Sequence, residues 1–198
     1  MTAVETGIAQ ENPFSIRSAL LRGAQVLSRA GIENHRLDAE VDVAEHLAQS
    51  SPVELHIVGC VPPRRLPDFV TVHGYLSKAT EPDAEALNRL FRASHFLIHP
   101  SRAECYGLAL AEASAFGLPA LTANVGGTSS VITDGVNGHL FNLDEGPSAY
   151  CACVQRLFAS RDDYDRLSLS SFKEYQRRLN WTVAGRRVRE LIEEAVAE

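Results

Sequence analysis

Between residues 53 and 142 short apolar runs alternate with helical segments, and this alternation constrains the fold more than any other feature. The runs are VELHIVG, FVTVHGY, HFLIHPS, PALTAN and GHLFN, most closed by glycine, proline or a small polar residue. Each is too short for a helix and mostly apolar instead of strictly alternating, the mark of a strand covered on both faces. Helical segments are expected over Asp83 to Ser94 and about Tyr106 to Phe116, with a short one inside GGTSSVITDG. Gly117 caps the second of these and Pro119 lies two residues on. Strand–helix alternation of this kind predicts an α/β fold, a parallel sheet with helices on both faces. Such sheets bind ligands beyond the carboxyl ends of their strands.

The flanks are expected to be helical. Residues 1–13 are polar, end in Asn12-Pro13 and should fray. SIRSALLRGAQVLSRAG sets Ile16, Leu20, Ala24 and Leu27 on one helical stripe, stopped by Gly31. RLDAEVDVAEHLAQS sets Leu37, Val41, Ala44 and Leu47 inward before Ser51-Pro52 breaks it. The expected organisation is a frayed segment over 1–13, two N-terminal helices within 14–52, and the sheet domain over 53–198. From Ser148 the chain reads as helical to its end, with breaks near Ser160 and Trp181; Trp181 is expected to anchor the last helices on the sheet.

Composition narrows the function classes. Nineteen basic against 25 acidic residues leave a net charge of −6, the wrong sign for a general nucleic-acid partner. No apolar run approaches the roughly 18 residues of a membrane span, and no signal-peptide pattern opens the chain. Cys60, Cys105, Cys151 and Cys153 form no CxxC pair and stand in apolar settings, so reduced, buried thiols and a cytoplasmic location are expected. Neither the cysteines nor the histidines have the spacing of a metal site. Ser101 and Ser129 lack the partner order of a nucleophilic triad. His99 is the histidine nearest Glu104.

Glu104 and Glu112 bracket the stretch ECYGLALAE, eight positions apart. With a helix starting near Cys105 their α-carbons would be about 12 Å apart along its axis. That exceeds the roughly 5 to 9.5 Å of a carboxylate pair working on one bond. Two carboxylates so spaced suit the two ends of an extended, hydroxyl-rich ligand. Between them the helix start offers outward N–H groups around Tyr106, Gly107 and Leu108, where a phosphate fits. Sugar, pyrophosphate and ribose follow the same order in a nucleotide-sugar.

The segment HPSRAECYGLALAEASAFGLPALTANVGGTSSVITDGVNGHLF is similar to the donor-binding half of glycosyltransferase family 4, the retaining glycosyl transferases group 1. The matching features are the two glutamates, Pro100-Ser101, AFGLP at 115–119, Gly126-Gly127 and DGVNG at 134–138; VELHIVGC, VTVHGYL and LNW at 179–181 add support. The family has two Rossmann-like halves facing across a cleft, the GT-B architecture. The resemblance implies a Rossmann-like domain whose substrate is a nucleoside diphosphate sugar, with no cofactor and no metal. It gives Glu104 the transferred sugar's hydroxyls as the catalytic residue, and Glu112 the ribose hydroxyls. The amides at Tyr106, Gly107 and Leu108 would steady the diphosphate and sugar. The base would rest near Gly59 and the Gly74-Tyr75-Leu76 turn, and Gly126, Gly127 and Thr128 would line the cleft.

The family's acceptor half has no counterpart in these 198 residues, which implies an acceptor-domain protein partner for transfer. The family's basic pair, expected before the helix that precedes VELHIVG, falls in IENHRLDAEVDVAEHL, where Arg36 stands among acids. The opening segment, through Ala30 to Asn34 and Arg36 to Glu40, also resembles the helical domain of release-factor glutamine methyltransferases, in which it docks a protein partner; an NPPY-type loop is absent. Three readings therefore stand side by side: half of a retaining transferase, a non-catalytic nucleotide-sugar-binding module, and a protein-interaction module with a vestigial pocket. Apolar surface left by an absent half would also suit a homodimer.

Overall fold

The computed structural model describes residues 16–20, 35–59 and 65–197. Its sheet has six strands: β1 (Ile16–Leu20), β2 (Val53–Val58), β3 (Val70–Gly74), β4 (Phe96–His99), β5 (Ala120–Ala123) and β6 (Gly138–Phe141). They run in the order β3-β2-β1-β4-β5-β6, and every pair is parallel. This is the doubly wound, Rossmann-type order, whose winding reverses between β1 and β4. The helices are α1 (His35–Ala48), α2 (Glu81–Ala93), α3 (Leu108–Ala115), the single turn α4 (Thr128–Val131), α5 (Gly146–Ala159), α6 (Arg161–Arg178) and α7 (Trp181–Ala197).

The five expected strands are all present. β4 and β5 are buried at every position, as strands covered on both faces must be. One face packs α1 and α5 through Val41, Leu47, Val154 and Leu157 on Leu55, Ile57 and Phe96. The other packs α2 and α3 through Leu87, Phe91, Leu110 and Ala113 on Val58, Leu97 and Ala120. Phe96 is fully buried; sheltering a side chain of that size stabilises the fold by about 1.5–3 kcal/mol.

The first expected helix requires correction. Ile16–Leu20 is a strand, paired with β2 through Ile16↔Val53 to Leu20↔Ile57 and with β4 through Ser18↔Phe96. Within 14–52 the described residues therefore supply a central strand and the second expected helix, α1. The physical reason is an ambiguity of period. Ile16 and Leu20 are four apart, and positions i and i+4 share a face in a helix and in a strand alike. The frayed segment over 1–13 and the remainder of the first helix lie outside the described residues.

Local signals account for the helix limits. α2 carries proline and two acids, Glu81 and Asp83, in its first turn, favoured by its N-terminal dipole. α3 ends where Gly117 turns left-handed at φ +66°. The Leu118 amide there donates to Ala113 and the Gly117 amide to Ser114, both at 3.0 Å, the paired bonds of a Schellman end. α6 starts at Ser160, whose hydroxyl accepts from the Asp163 amide at 3.3 Å, and ends on Arg177 and Arg178.

Candidate functional site

All six strands point their carboxyl ends to one edge of the sheet, and the segment over 100–107 leaves β4 there, at the switch point. α3 begins at Leu108, three residues later than a start near Cys105 requires. Glu104 is thus in the loop before the helix, and the axial spacing of about 12 Å for the two acids no longer applies. The N-cap is Gly107, left-handed at φ +82°. A Cβ there would fall 2.7 Å from Leu110 Cδ1 and 3.5 Å from Glu104 Cγ. Glycine is needed, and the Glu104 stem lies against the head of the helix.

The Glu104 carboxylate is held at both oxygens. Oε1 accepts from the Cys105 amide at 3.1 Å, and Oε2 lies 3.0 Å from His99 Nε2. His99 is 3% exposed, and Ser101 Oγ lies 3.2 Å from the same nitrogen.

The Gly126-Gly127 loop rests on the Glu104 backbone. The Gly127 amide donates to the Glu104 carbonyl at 3.1 Å. A Cβ at Gly126 would sit 2.0 Å from the Glu104 carbonyl oxygen, and one at Gly127 1.9 Å from that of Cys105. These glycines act by letting two backbones touch. Thr128, expected to line the cleft, is fully buried instead. Its hydroxyl lies 2.9 Å from the Ala123 carbonyl and accepts from the Val125 amide at 3.0 Å, so it locks the loop.

A cleft of about 480 Å³ opens between α2, α3 and the α6–α7 junction. Tyr106, Leu108 and Glu112 form part of its wall, with Lys78, Phe91 and Trp181 opposite and around them. Glu112 is ion-paired with Lys78 from the loop before α2. Tyr106 and Leu108 are 42% and 57% exposed. Gly59 and Gly74 close β2 and β3, the Gly59 amide donating to the Gly74 carbonyl at 2.5 Å, with an exposed Tyr75 beyond. They stand apart from the cleft wall, as does Glu104.

Several side chains differ from their sequence expectation. Trp181 is 84% exposed at the head of α7 and anchors nothing on the sheet. Cys105 is exposed, while Cys151 and Cys153 are buried and desolvation raises both thiols, Cys151 to about 11; Cys60 is outside the described residues. Lys78 and Arg178 at the cleft were missed: a lysine after a glycine turn and an arginine in a basic helix face carry no local signal.

A doubly wound parallel sheet with a loop of acid, glycine and helix head at its switch point defines a Rossmann-like domain. Comparison with known proteins is specific. The family model "Glycosyl transferases group 1" matches residues 25–160, and the chain belongs to that family. A D-inositol 3-phosphate glycosyltransferase from Paenarthrobacter aurescens is 27% identical over 167 residues, 82% of this chain and 39% of that protein. The structure of Anabaena HepE in complex with UDP-glucose superimposes with a TM-score of 0.68 at 18% identity, covering 92% of this chain and 49% of that one. The C-terminal domain of a glycosyl transferase group 1 family protein from Francisella tularensis gives 0.63 at 14%, covering 85% and 87%. These likenesses match the fold to the Rossmann-like domains of GT-B glycosyltransferases. The chain spans less than half the length of the curated relatives it matches. The family match reaches back to residue 25 and so takes in the stretch from Ala30 to Glu40. Among the described residues no helix is long and apolar enough to cross a membrane.

Proposed function

We propose that this domain binds a nucleoside diphosphate sugar and, together with an acceptor-binding domain, transfers its hexosyl group with retained configuration, as family 4 members do. One observation carries the reading: the Glu112 carboxylate stands in a cleft wall with Tyr106 and Leu108 at the head of α3. Glu112 takes the ribose hydroxyls, the first-turn amides take the diphosphate, and Glu104 takes the sugar. Lys78 supplies a cation beside them. HepE, a neighbour in fold, was solved with UDP-glucose and with UDP and glucose, which supports the ligand class.

An acceptor domain would need an apolar face to dock on. α7 leaves Trp181, Val188, Leu191, Ile192 and Val196 between 47% and 84% exposed, a stripe that suits a second domain or a second copy of the chain. The deciding experiment is titration calorimetry with UDP, GDP and ADP and their sugar conjugates. Glu112→Ala should weaken nucleotide and nucleotide-sugar alike, and Glu104→Ala the sugar conjugate alone. No binding at millimolar ligand would reject the reading; equal effects of the two substitutions would reject the division of roles.

A further inference from the structure

We infer that His99 is a positioning residue for Glu104, holding its carboxylate in the one orientation that meets the transferred sugar. The inference rests on the nucleotide-sugar reading and adds a residue to it. His99 closes β4, which borders the topological switch, and is 3% exposed, so it acts through Glu104. Its Nε2 lies 3.0 Å from Glu104 Oε2 and 3.2 Å from Ser101 Oγ. An ionised carboxylate only accepts hydrogen bonds, so the shared hydrogen belongs to Nε2. Ser101 Oγ is then a second acceptor on that side of the ring.

The backbone that carries the imidazole is itself fixed. The His99 carbonyl accepts from Thr122 Oγ1 and from the Ser101 amide, each at 2.9 Å, and His99 is paired in register with Thr122 of β5. The Cys105 amide holds the other oxygen of Glu104 at 3.1 Å. A glutamate loses much rotamer freedom when a ligand orders it. Here that ordering precedes binding, and the carboxylate still has lone pairs for two sugar hydroxyls. Glu104 is 25% exposed at its side chain, enough for this contact.

The test measures the sugar increment, the ratio of the dissociation constant for UDP to that for UDP-glucose, with GDP/GDP-mannose and ADP/ADP-glucose run in parallel on the full chain. His99→Leu should lower the increment about tenfold, the weight of one charge-assisted bond, with nucleotide affinity unchanged. His99→Gln, which keeps an N–H donor, should restore most of it. Glu104→Ala combined with His99→Leu should be no worse than Glu104→Ala alone. An increment unchanged in His99→Leu, or a parallel loss of nucleotide and nucleotide-sugar with a lower Tm, would overturn the inference and leave the nucleotide-sugar reading intact. No nucleotide binding to the unaltered chain overturns both. Should His99→Leu fail to fold, ¹⁵N-histidine NMR of the unaltered chain decides: a hydrogen on Nε2 whose resonance moves in Glu104→Ala is expected, and an unprotonated Nε2 at neutral pH sinks the pairing.

Discussion

Lys78 and Glu112 meet at the cleft from opposite sides, the lysine from the loop before α2 and the glutamate from the middle of α3. Thirty-four residues separate them in sequence. The pair ties the carboxylate assigned to ribose to a cation. Both side chains are well exposed, 58% and 35%, and an exposed ion pair contributes about 0.2–1 kcal/mol. Lys78→Ala is therefore expected to move the urea-unfolding free energy by less than about 1 kcal/mol. A larger loss would mean the pair supports the fold instead of the site.

Gly127→Ala is a test of close approach alone. The Gly127 φ of −87° suits any residue, but the new methyl would lie 1.9 Å from the Cys105 carbonyl oxygen. The loop must move, at a cost of about 1–3 kcal/mol or more, and the Gly127–Glu104 hydrogen bond should break. Gly135→Ala is the contrast: nothing lies within 4 Å of the added carbon, and only its φ of +71° opposes it, for about 1–2 kcal/mol. Denaturant unfolding of both, with sugar-increment calorimetry, should show Gly127→Ala alone losing the sugar contribution.

Glu174 should mark the acid limb of stability. It is 5% exposed and sits between Arg177 and Arg178, whose side chains hydrogen-bond it. The Arg177 bond leads in holding its carboxyl below the ordinary value of 4.5. A depressed folded-state value means the stabilisation is present above the unfolded-state value and is lost as pH falls through the folded one. Melting temperature should therefore fall below about pH 4.5 in the unaltered chain. Glu174→Gln should flatten that fall and lower the plateau at neutral pH. Equal slopes in the two proteins would remove Glu174 from this role.

Thiol reactivity should separate the cysteines. Cys105 is exposed, whereas burial pushes Cys151 up to about 11 and raises Cys153. The thiolate is the reactive form. Brief maleimide treatment of the folded chain at pH 7, followed by peptide mapping, should modify Cys105 and spare Cys151 and Cys153 until urea is added. Early modification of Cys151 would show that α5 opens on the timescale of labelling.

The strands from β2 onward were legible because each is a short apolar run that would be costly to leave in water. Burial on both faces then makes every residue of β4 and β5 part of the signal. The Schellman end at Gly117 was legible for a similarly local reason, since a left-handed residue there needs glycine. The α3 carboxylate, Glu112, was singled out by its spacing from Glu104. β1 was not legible, because IRSAL fits a helix and a strand equally until β2 and β4 stand on either side of it.

What the order of residues determined by itself was local: which segments are extended or helical, where most of them stop, and which acids flank a helix head. What only the folded chain decided was who meets whom. Lys78 reaching Glu112 and Gly127 touching Cys105 join segments far apart in the chain, while His99 meets Glu104 only because the loop leaving β4 folds back on the strand's end. These pairings follow from strand order and from the reversal between β1 and β4. Strand order is set by the burial of a whole sheet at once, a long-range energy that no short window of sequence contains.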